Sequence, residues 1–508
     1  MVKINDKESE SLSEYLILTG WIKIKPEEVS LKANLGNIEL QYPYMTARMQ
    51  CIVGEEMAIA AGRNGILTMI PRSLSDEDKR KIINANNKVR LKKGDIEFQE
   101  NPEFATPESS LGEVVKQVER TGHSVVPILD RKSKLYGVYI HDPEHPLLVP
   151  LTSKITEVMH KLSLKPENEN EIIYLTTQAS EEEIRKALEL QKRKFVPIVD
   201  SQGVLQKIAF LQKFNTNYIG MAISTRQGWE EEIEKYASLV DTLCIDSSNA
   251  CFEDAIKILR YAKQKFPDKP FGIGNIIQAR DFEIFAEAGA DYIIGGMGVG
   301  SICKTGSERG NGRGQFTVAR ELAEARDKYF KEKGKYVYFV LDGGIKNVKD
   351  MIVALTFADF IMLGNYFNKF HEAVAQKFDA NKQLTSNEAL MKYVESWGEG
   401  HPRARLVAMY GLNFRKILAG NNQTQEKVSE RYGHITLAGA TTEGVVGLVP
   451  YRGRLKPCVE RDARYIRTTI SNSGAIDLKS FKEIAILEKA SEQTQKDMLP
   501  HDLEVTEE

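Results

Sequence analysis

The segment from Gly295 to Thr305, GGMGVGSICKT, follows a short apolar run that is typical of a buried β-strand. Its four glycines leave main-chain groups open to close approach by a ligand or an ion. Ser301 adds a hydroxyl, and Cys303 adds a thiol that can act as a nucleophile. The same pattern also fits a glycine-rich turn before a helix, with Cys303 as a small buried residue. The rest of the chain decides between these interpretations.

Around this segment, short runs rich in Ile, Val, Tyr and Phe alternate with longer charged stretches of helical periodicity. This alternation is typical of strand and helix units around a parallel sheet. Strands are predicted at residues 40–46, 65–70, 217–223, 242–247, 270–276, 291–297, 336–342 and 359–364. Eight such units predict an α/β fold, a (β/α)₈ TIM barrel with its active site where the strands end. An open doubly wound sheet is the alternative.

Two stretches interrupt the strand count. Residues 95–214 contain a weak repeat, in which SVVPILD at 124–130 returns as KFVPIVD at 194–200. Duplicated units usually pack against each other, so this stretch predicts a small inserted domain. The barrel then consists of residues 1–94 and 215–508. Residues from about 375 to 450 follow the eighth strand and are rich in Gly, Asn, Gln and Thr, which predicts a mobile flap or a disordered linker.

Composition narrows the class of protein. The 508-residue chain has 69 basic and 71 acidic side chains, so its charge does not indicate nucleic-acid binding. Its five cysteines lack the spacing of a zinc site and fit a reducing compartment. The polar N-terminus and the lack of a long apolar run predict neither a signal peptide nor a membrane span. We therefore expect a cytoplasmic protein.

Small and polar residues follow three of the predicted strands. Residues 342–344 (DGG) follow the seventh strand, and residues 364–365 (GN) follow the eighth. Loops at these two positions commonly bind phosphate in this barrel through free backbone N–H groups. Asp342 would accept hydrogen bonds from sugar hydroxyls, unless it only caps the following helix. Residues 246–248 (DSS) follow the fourth strand, and carbonyl oxygens around Cys303 are candidate ligands for a monovalent cation.

Several motifs together resemble the inosine monophosphate dehydrogenase family over nearly the whole chain. The segment at 295–305 is similar to the catalytic-cysteine loop of that family, and GRGQ at 312–315 resembles the segment that follows it in one subgroup. LDGGI at 341–345 and MLG at 362–364 are similar to its phosphate and ribose contacts.

Further motifs extend the resemblance. WGEG at 397–400 and EG at 443–444 are similar to the family's contacts with the purine base, and RY at 431–432 is similar to the Arg-Tyr pair on its flap. The repeat resembles the tandem CBS (Bateman) modules that the family inserts after the second barrel unit. In some members these modules bind adenine or guanine nucleotides.

The resemblance implies NAD-dependent oxidation of inosine monophosphate (IMP) to xanthosine monophosphate (XMP), a step of guanine nucleotide biosynthesis. The thiolate of the catalytic cysteine adds to the purine, hydride passes to NAD, and water hydrolyses the thioimidate. The catalytic residues implied are Cys303, Thr305, Arg431 and Tyr432. Of these, Arg431 is the general base for the water, which requires a neutral guanidinium on the closed flap.

Ligand contacts and assembly are also implied by the resemblance. Contacts with IMP are expected from Ser301, Asp342, Gly343, Gly344, Gly364, Asn365, Ser396, Trp397, Gly398, Glu399, Gly400 and Glu443. Contacts with NAD are expected from Asp246, Ser248, Gly296, Met297 and Gly298. Potassium is expected on the carbonyl groups of Gly298, Gly300 and Cys303. The family implies a homotetramer.

The sequence departs from the family pattern at four places. Lys304 replaces an uncharged residue beside the catalytic cysteine, and Ser396 replaces a tyrosine that contacts phosphate. Arg48 stands where an apolar residue is expected near the substrate. The tail at 496–501 lacks the Glu-Gly-Gly segment that completes the potassium site of a neighbouring subunit.

Two other functions are open. GMP reductase shares the barrel, the cysteine loop and the phosphate site, but it lacks the Arg-Tyr pair and usually the CBS modules. A catalytically silent purine-nucleotide sensor would use the barrel only as a scaffold. The presence of Cys303, Thr305, Arg431 and Tyr432 together argues against such a sensor.

Overall fold

The computed structural model describes residues 5, 8–142, 149–164, 171–191, 194–401, 403–404, 407 and 444–500. The chain divides into two compact units. One consists of Met1–Val89 with Asn217–Glu508, and the other of Arg90–Thr216. The second unit is slightly longer than the insertion predicted at 95–214.

Eight parallel strands form a barrel in the larger unit. They are β1 (Tyr44–Thr46), β2 (Thr68–Ile70), β3 (Ile219–Ile223), β4 (Thr242–Asp246), β5 (Phe271–Ile276), β6 (Tyr292–Gly295), β7 (Tyr338–Asp342) and β8 (Phe360–Leu363). Each strand lies within its predicted range. The strands are hydrogen-bonded in the order β1-β8-β7-β6-β5-β4-β3-β2.

The two outer strands of this order also meet. The backbone N–H of Thr46 donates to the carbonyl of Leu67 at 3.0 Å, and the N–H of Leu67 donates to the carbonyl of Tyr44 at 3.2 Å. These bonds close the sheet, so the predicted (β/α)₈ barrel is confirmed and the open sheet is excluded. The strands are apolar on both faces because side chains fill the interior and helices cover the outside.

Helices follow the barrel strands and bury their apolar faces against them. In the larger unit they span Glu55–Arg63, Asp76–Lys88, Trp229–Tyr236, Glu253–Lys265, Ala279–Ala288, Thr305–Arg309, Gln315–Lys333, Val348–Leu355, Asn365–Asn368, Leu455–Asn472, Leu478–Ile484 and Glu492–Asp497. Short 3₁₀ turns span Leu12–Glu14, Pro26–Glu28 and Glu388–Leu390. No helix within the described ranges is both long and apolar enough to cross a membrane.

Antiparallel pairs of strands surround the barrel. Tyr15–Ile17 pairs with Leu487–Lys489, and Ala33–Leu35 pairs with Ile38–Leu40. A three-stranded sheet consists of Lys377–Phe378, Tyr393–Trp397 and Val446–Pro450, in that order. This sheet contains the described ends of the segment predicted as a flap at about 375–450.

The smaller unit contains two similar halves. Its helices are Leu111–Thr121 and Glu181–Leu190, with a 3₁₀ turn at Ile155–Glu157. Its strands are Ile96–Glu100, Val125–Leu129, Leu135–Ile140, Lys161–Ser163, Glu171–Ile173, Leu175–Thr176, Phe195–Val199 and Leu205–Leu211. Each copy of the repeated motif forms the first strand of an antiparallel hairpin.

The hairpins of the two copies turn in the same way. Asp130 Oδ1 accepts backbone N–H groups of Lys132 at 2.8 Å and Lys134 at 2.9 Å. In the second copy, Asp200 Oδ1 accepts those of Gln202 and Val204, both at 2.9 Å. An aspartate that accepts N–H groups two and four residues ahead stabilises a tight turn, so both copies use the same local device.

Candidate active site

The glycine-rich loop after β6 passes directly against the end of β7. Gly296 has φ +129° and Gly298 has φ +83°, which are conformations that side chains rarely allow. A Cβ atom on Gly296 would lie 2.1 Å from the carbonyl oxygen of Asp342. Glycine is therefore required at this position by both backbone conformation and space. The loop is held close to the predicted ligand-binding end of the barrel.

Cys303 lies at the far side of this loop and is half-buried. Its N–H donates to the carbonyl of Gly300 at 3.0 Å, which closes a turn. The N–H of Thr305 approaches the sulfur at 3.4 Å and provides it with a donor. The thiol is thus partly accessible and has a fixed position. This partial exposure distinguishes Cys303 from a fully buried core cysteine.

The cysteine loop also contacts two segments that are distant in the sequence. Cys303 forms an antiparallel bridge with Gly444, and the N–H of Val445 donates to the carbonyl of Ile302 at 3.1 Å. The N–H of Gly398 donates in turn to the carbonyl of Val445 at 3.4 Å. The structure therefore brings together the cysteine loop, the WGEG segment and the described end of the EG motif.

The predicted phosphate loops lie at the same end of the barrel. Gly343 and Gly344 have φ +85° and +69°, and a Cβ on Gly343 would lie 3.9 Å from the backbone nitrogen of Gly300. The cysteine loop and this loop therefore face each other. Gly364 and Asn365 follow β8, which pairs with β7. The Oδ1 atom of Asn365 is buried and has no hydrogen-bond partner among the described residues, which leaves it for a ligand or for water.

Asp342 is fixed by an amide side chain that the sequence analysis did not identify. Asn275, in β5, donates from Nδ2 to Asp342 Oδ2 at 3.0 Å and to the carbonyl of Gly296 at 2.8 Å. Gln315 donates to the carbonyl of Asp342 at 2.8 Å. Asp342 does not cap the following helix, Val348–Leu355, whose N-cap is Asn347. The one signal for Asn275 in the sequence is a polar residue inside an otherwise apolar strand.

Arg48 follows β1 and is buried beneath the site. Its Nη1 atom lies 2.8 Å from Asp246 Oδ1, and its Nη2 atom lies 3.2 Å from Asp342 Oδ2. Nη2 also donates to Asn275 Oδ1 at 2.8 Å. Burial by itself would lower the pKa of Arg48, but the two carboxylates outweigh burial and raise that pKa. The guanidinium therefore stays charged inside the barrel.

The residues predicted to bind NAD lie around this network. Asp246 ends β4, and its second oxygen is 3.1 Å from Nε of Arg72. Ser248 is exposed, and Met297 is half-buried in the loop after β6. These residues lie at the carboxyl ends of β4 and β6, where a barrel of this kind binds its ligands.

The glutamate of the WGEG segment is held by hydrogen bonds from two barrel loops. Glu399 accepts the N–H of Gln50 at 2.7 Å and the hydroxyl of Ser73. The residue as a whole is half-buried, but its carboxyl is desolvated, and burial raises the pKa of Glu399 to about 7. Trp397 is 4% exposed, and its Nε1 has no hydrogen-bond partner among the described residues. The carboxyl of Glu399 joins the loops after β1 and β2.

The remaining predicted residues are placed as follows. Ser301 is exposed on the cysteine loop, Gly400 is half-buried, and Ser396 is 3% exposed on the strand Tyr393–Trp397. Lys304 lies 3.8 Å from Glu308 in the next helical turn, so its ammonium has a carboxylate partner. Arg431, Tyr432 and Glu443 lie outside the described residues.

The family model and the most similar relatives indicate the same protein family. The family model described as "IMP dehydrogenase / GMP reductase domain" matches residues 10–501. The chain is 30% identical to the inosine-5'-monophosphate dehydrogenase of Tritrichomonas foetus, over 96% of this chain and 94% of that protein. It is 25% identical to the enzyme of the same name from Methanocaldococcus jannaschii, over 99% and 97% of the two chains.

A solved structure agrees at the level of the fold. A cysteine-to-alanine variant of GMP reductase from Trypanosoma brucei, in complex with guanosine 5'-monophosphate, has a TM-score of 0.63 and 19% sequence identity, and the match covers 98% of each chain. The resemblance inferred from the motifs is confirmed for the family as a whole. The chain belongs to the IMP dehydrogenase / GMP reductase family of oxidoreductases.

Proposed function

We propose that this chain catalyses the NAD-dependent oxidation of IMP to XMP. The observation that carries the proposal is the junction of three segments at Cys303. The thiol is half-buried and hydrogen-bonded, and its loop is joined to Gly398 and to Gly444. This arrangement supports Cys303 as the nucleophile, because its loop lies close both to the glycine loop after β7 and to the WGEG segment.

The chemistry proceeds in two half-reactions. The Cys303 thiolate forms a bond to the purine carbon between the two ring nitrogens, and the hydrogen on that carbon leaves as hydride. NAD, when bound, supplies the acceptor for this hydride. Water then attacks the thioimidate carbon, the carbon–sulfur bond breaks, and XMP and the free thiol result. The reaction consumes one water and releases one proton.

This chain's residues supply distinct parts of that chemistry. Backbone N–H groups at Gly343 and Gly344 suit the IMP phosphate, and the free Oδ1 of Asp342 suits the ribose hydroxyls. For the hydrolytic step, Arg431 is proposed as the base that activates the water, with Tyr432 and Thr305 positioning it. Arg431 and Tyr432 lie outside the described residues. Their roles rest on the sequence motif alone.

Two ligands from the predicted set remain part of the proposal. NAD would lie against Asp246 and the loop from Gly296 to Gly298, in which the N–H and the carbonyl of Gly296 are already bonded to Ile276 and Asn275. Potassium would bind carbonyl oxygens of Gly298, Gly300 and Cys303. The carbonyl of Gly298 faces Gly306 closely, since a Cβ there would lie 2.9 Å from it. The dependence of turnover on potassium therefore tests this proposed cation site directly.

The assembly and the smaller unit are also proposed from the family. We propose a cytoplasmic homotetramer whose CBS modules bind adenine or guanine nucleotides. The matching turns at Asp130 and Asp200 support a duplicated module. Among its basic residues, Arg131 and Lys132 are exposed and free to meet phosphates or solvent. Lys194 donates to the carbonyl of Glu189 at 2.8 Å, and Arg193 lies outside the described residues.

The test is formation of NADH and XMP from IMP and NAD, with and without potassium. Cys303→Ala should abolish turnover by several orders of magnitude while IMP still binds. Cys251→Ser is the control, because Cys251 is an exposed cysteine that is not among the proposed contact residues. No NADH under either condition would contradict the proposal. Consumption of a reduced nicotinamide cofactor with GMP would instead support GMP reductase, and binding without turnover would support the silent sensor.

A further inference from the structure

One buried guanidinium links the two aspartates that face the proposed ligands. Arg48 contacts Asp246 with Nη1 and Asp342 with Nη2, so each aspartate is held by a different nitrogen of the same planar group. The side chain of Arg48 is 7% exposed, whereas those of Asp246 and Asp342 are 20% and 21% exposed. The cation is therefore covered, and the carboxylates are the parts of the network that ligands can reach.

The contacts on Asp342 all use the same oxygen. Arg48 and Asn275 both reach Oδ2, at 3.2 and 3.0 Å, and Oδ1 accepts no hydrogen bond from the described residues. Asp246 is held differently, with Arg48 on Oδ1 and Arg72 on Oδ2. Each carboxylate oxygen can accept two hydrogen bonds, so both aspartates keep acceptor capacity for sugar hydroxyls.

The charge of Arg48 also matters for the two aspartates that it contacts. Two carboxylates near one another in a partly buried site repel, and one of them takes up a proton unless a cation lies between them. A guanidinium separates the two carboxylates with fixed geometry, because its planar N–H donors reach two acceptors at once. A lysine ammonium in the same place would carry the charge but would lack the planar arrangement of donors.

We propose that Arg48 is a positioning residue that fixes Asp342 toward the nucleotide substrate and Asp246 toward the dinucleotide cofactor. This inference rests on the proposed function for the assignment of the two ligands. It adds a residue that the family pattern does not supply, since an apolar side chain was expected at this position. Arg48 acts through the two aspartates and touches neither ligand itself.

The experiment measures binding separately from turnover. In a Cys303→Ala background, which prevents chemistry, calorimetry gives the Kd of IMP alone and the Kd of NAD at saturating IMP. Arg48→Met should weaken each by roughly tenfold or more, because each aspartate loses a charged hydrogen-bond donor. With Cys303 intact, KM for both ligands should rise much more than kcat falls, as expected for lost ground-state binding. Arg48→Lys should recover part of both affinities.

Arg326→Met is the matched control. Arg326 is also buried, with a side chain 5% exposed, and it contacts Asp359 at 3.0 Å just before β8, at the opposite end of the barrel. The Arg326→Met variant should lower the apparent Tm, as Arg48→Met does, without changing the Kd of IMP or the Kd of NAD. A double-mutant cycle adds Asp342→Asn, which should cost less IMP affinity in Arg48→Met than in the parent protein.

The outcomes separate this inference from the proposed function. Unchanged Kd values in Arg48→Met, or equal losses in Arg326→Met, would overturn the positioning role. Additive effects of Arg48→Met and Asp342→Asn would also overturn it. If the parent protein forms no NADH but Arg48→Met still weakens IMP binding, the dehydrogenase proposal fails and the role of Arg48 stands.

Discussion

Replacement of Glu399 by glutamine should stabilise the protein by an amount that depends on pH. The carboxyl of Glu399 accepts the N–H of Gln50 at 2.7 Å and the hydroxyl of Ser73, and burial raises the pKa of Glu399 from 4.5 to about 7. Glutamine has nearly the same shape, and its carbonyl can still accept from Gln50. The Glu399→Gln variant therefore removes the ionisation while keeping the contacts.

The magnitude follows from linkage. The folded state binds this proton more tightly than the unfolded state, so ionisation of Glu399 costs stability as pH rises above 4.5. The cost is complete above a pH of about 7 and reaches about 3 kcal/mol, because the pKa differs by about 2.5 units. At a pH of about 5.5 the cost is only about 1 kcal/mol. Glu399→Gln should therefore gain about 2 kcal/mol more stability at a pH of about 8 than at about 5.5.

The assay is the apparent Tm of the parent and variant proteins at these two pH values. Asp76→Asn is the control, because Tyr236 donates to Asp76 Oδ1 at 2.8 Å and Lys235 donates to Asp76 Oδ2. The hydrogen bond from Lys235 lowers the pKa of Asp76 from 3.8. The stability from Asp76 is lost only as pH falls below 3.8, so Asp76→Asn should destabilise equally at both pH values. A Glu399→Gln effect that is also independent of pH would refute a neutral Glu399 carboxyl.

Three further changes test the architecture. Gly296→Ala places a Cβ 2.1 Å from a β7 carbonyl and should lower kcat/KM and Tm, at a backbone cost of roughly 1–3 kcal/mol. Gly453→Ala is the control, because Gly453 has φ +90° but open space, so this variant shows the cost of backbone strain without a steric clash. Asn275→Ala removes three hydrogen bonds in the site and should raise KM for IMP in steady-state assays; an unchanged KM would contradict its role. Asp130→Ala and Asp200→Ala should increase hydrogen exchange in their own hairpins by equivalent amounts, and exchange confined to one hairpin would contradict the shared turn.

Local patterns were sufficient for the barrel strands and for the glycine loop. Strands buried on both faces read as short apolar runs whatever their neighbours are, so all eight were found within their predicted ranges. The glycines were predicted to leave the main chain open to a ligand, whereas at Gly296 the neighbouring carbonyl of Asp342 occupies the space of a Cβ. The motif at Cys303 indicated the family because its characteristic residues are consecutive in the sequence.

The polar network beneath the site could not be predicted in this way. Arg48 follows β1, Asn275 lies in β5, and their carboxylate partners end β4 and β7. Nothing near Arg48 in the sequence indicates these partners, so it was interpreted as a departure from an apolar pattern. The partners of Glu399 could not be predicted either, because its motif indicates where the backbone passes and not which groups donate to the carboxyl.

Fold class, family and the position of the thiol loop could be predicted from the amino-acid sequence, because each depends on residues that are adjacent or regularly spaced. Which charges meet depends on how distant segments pack. Closure of the barrel brings the ends of β1, β4, β5 and β7 around one guanidinium, and burial then sets the protonation of groups such as Glu399. Electrostatic energies depend on distance and desolvation, and both exist only after distant segments have packed together.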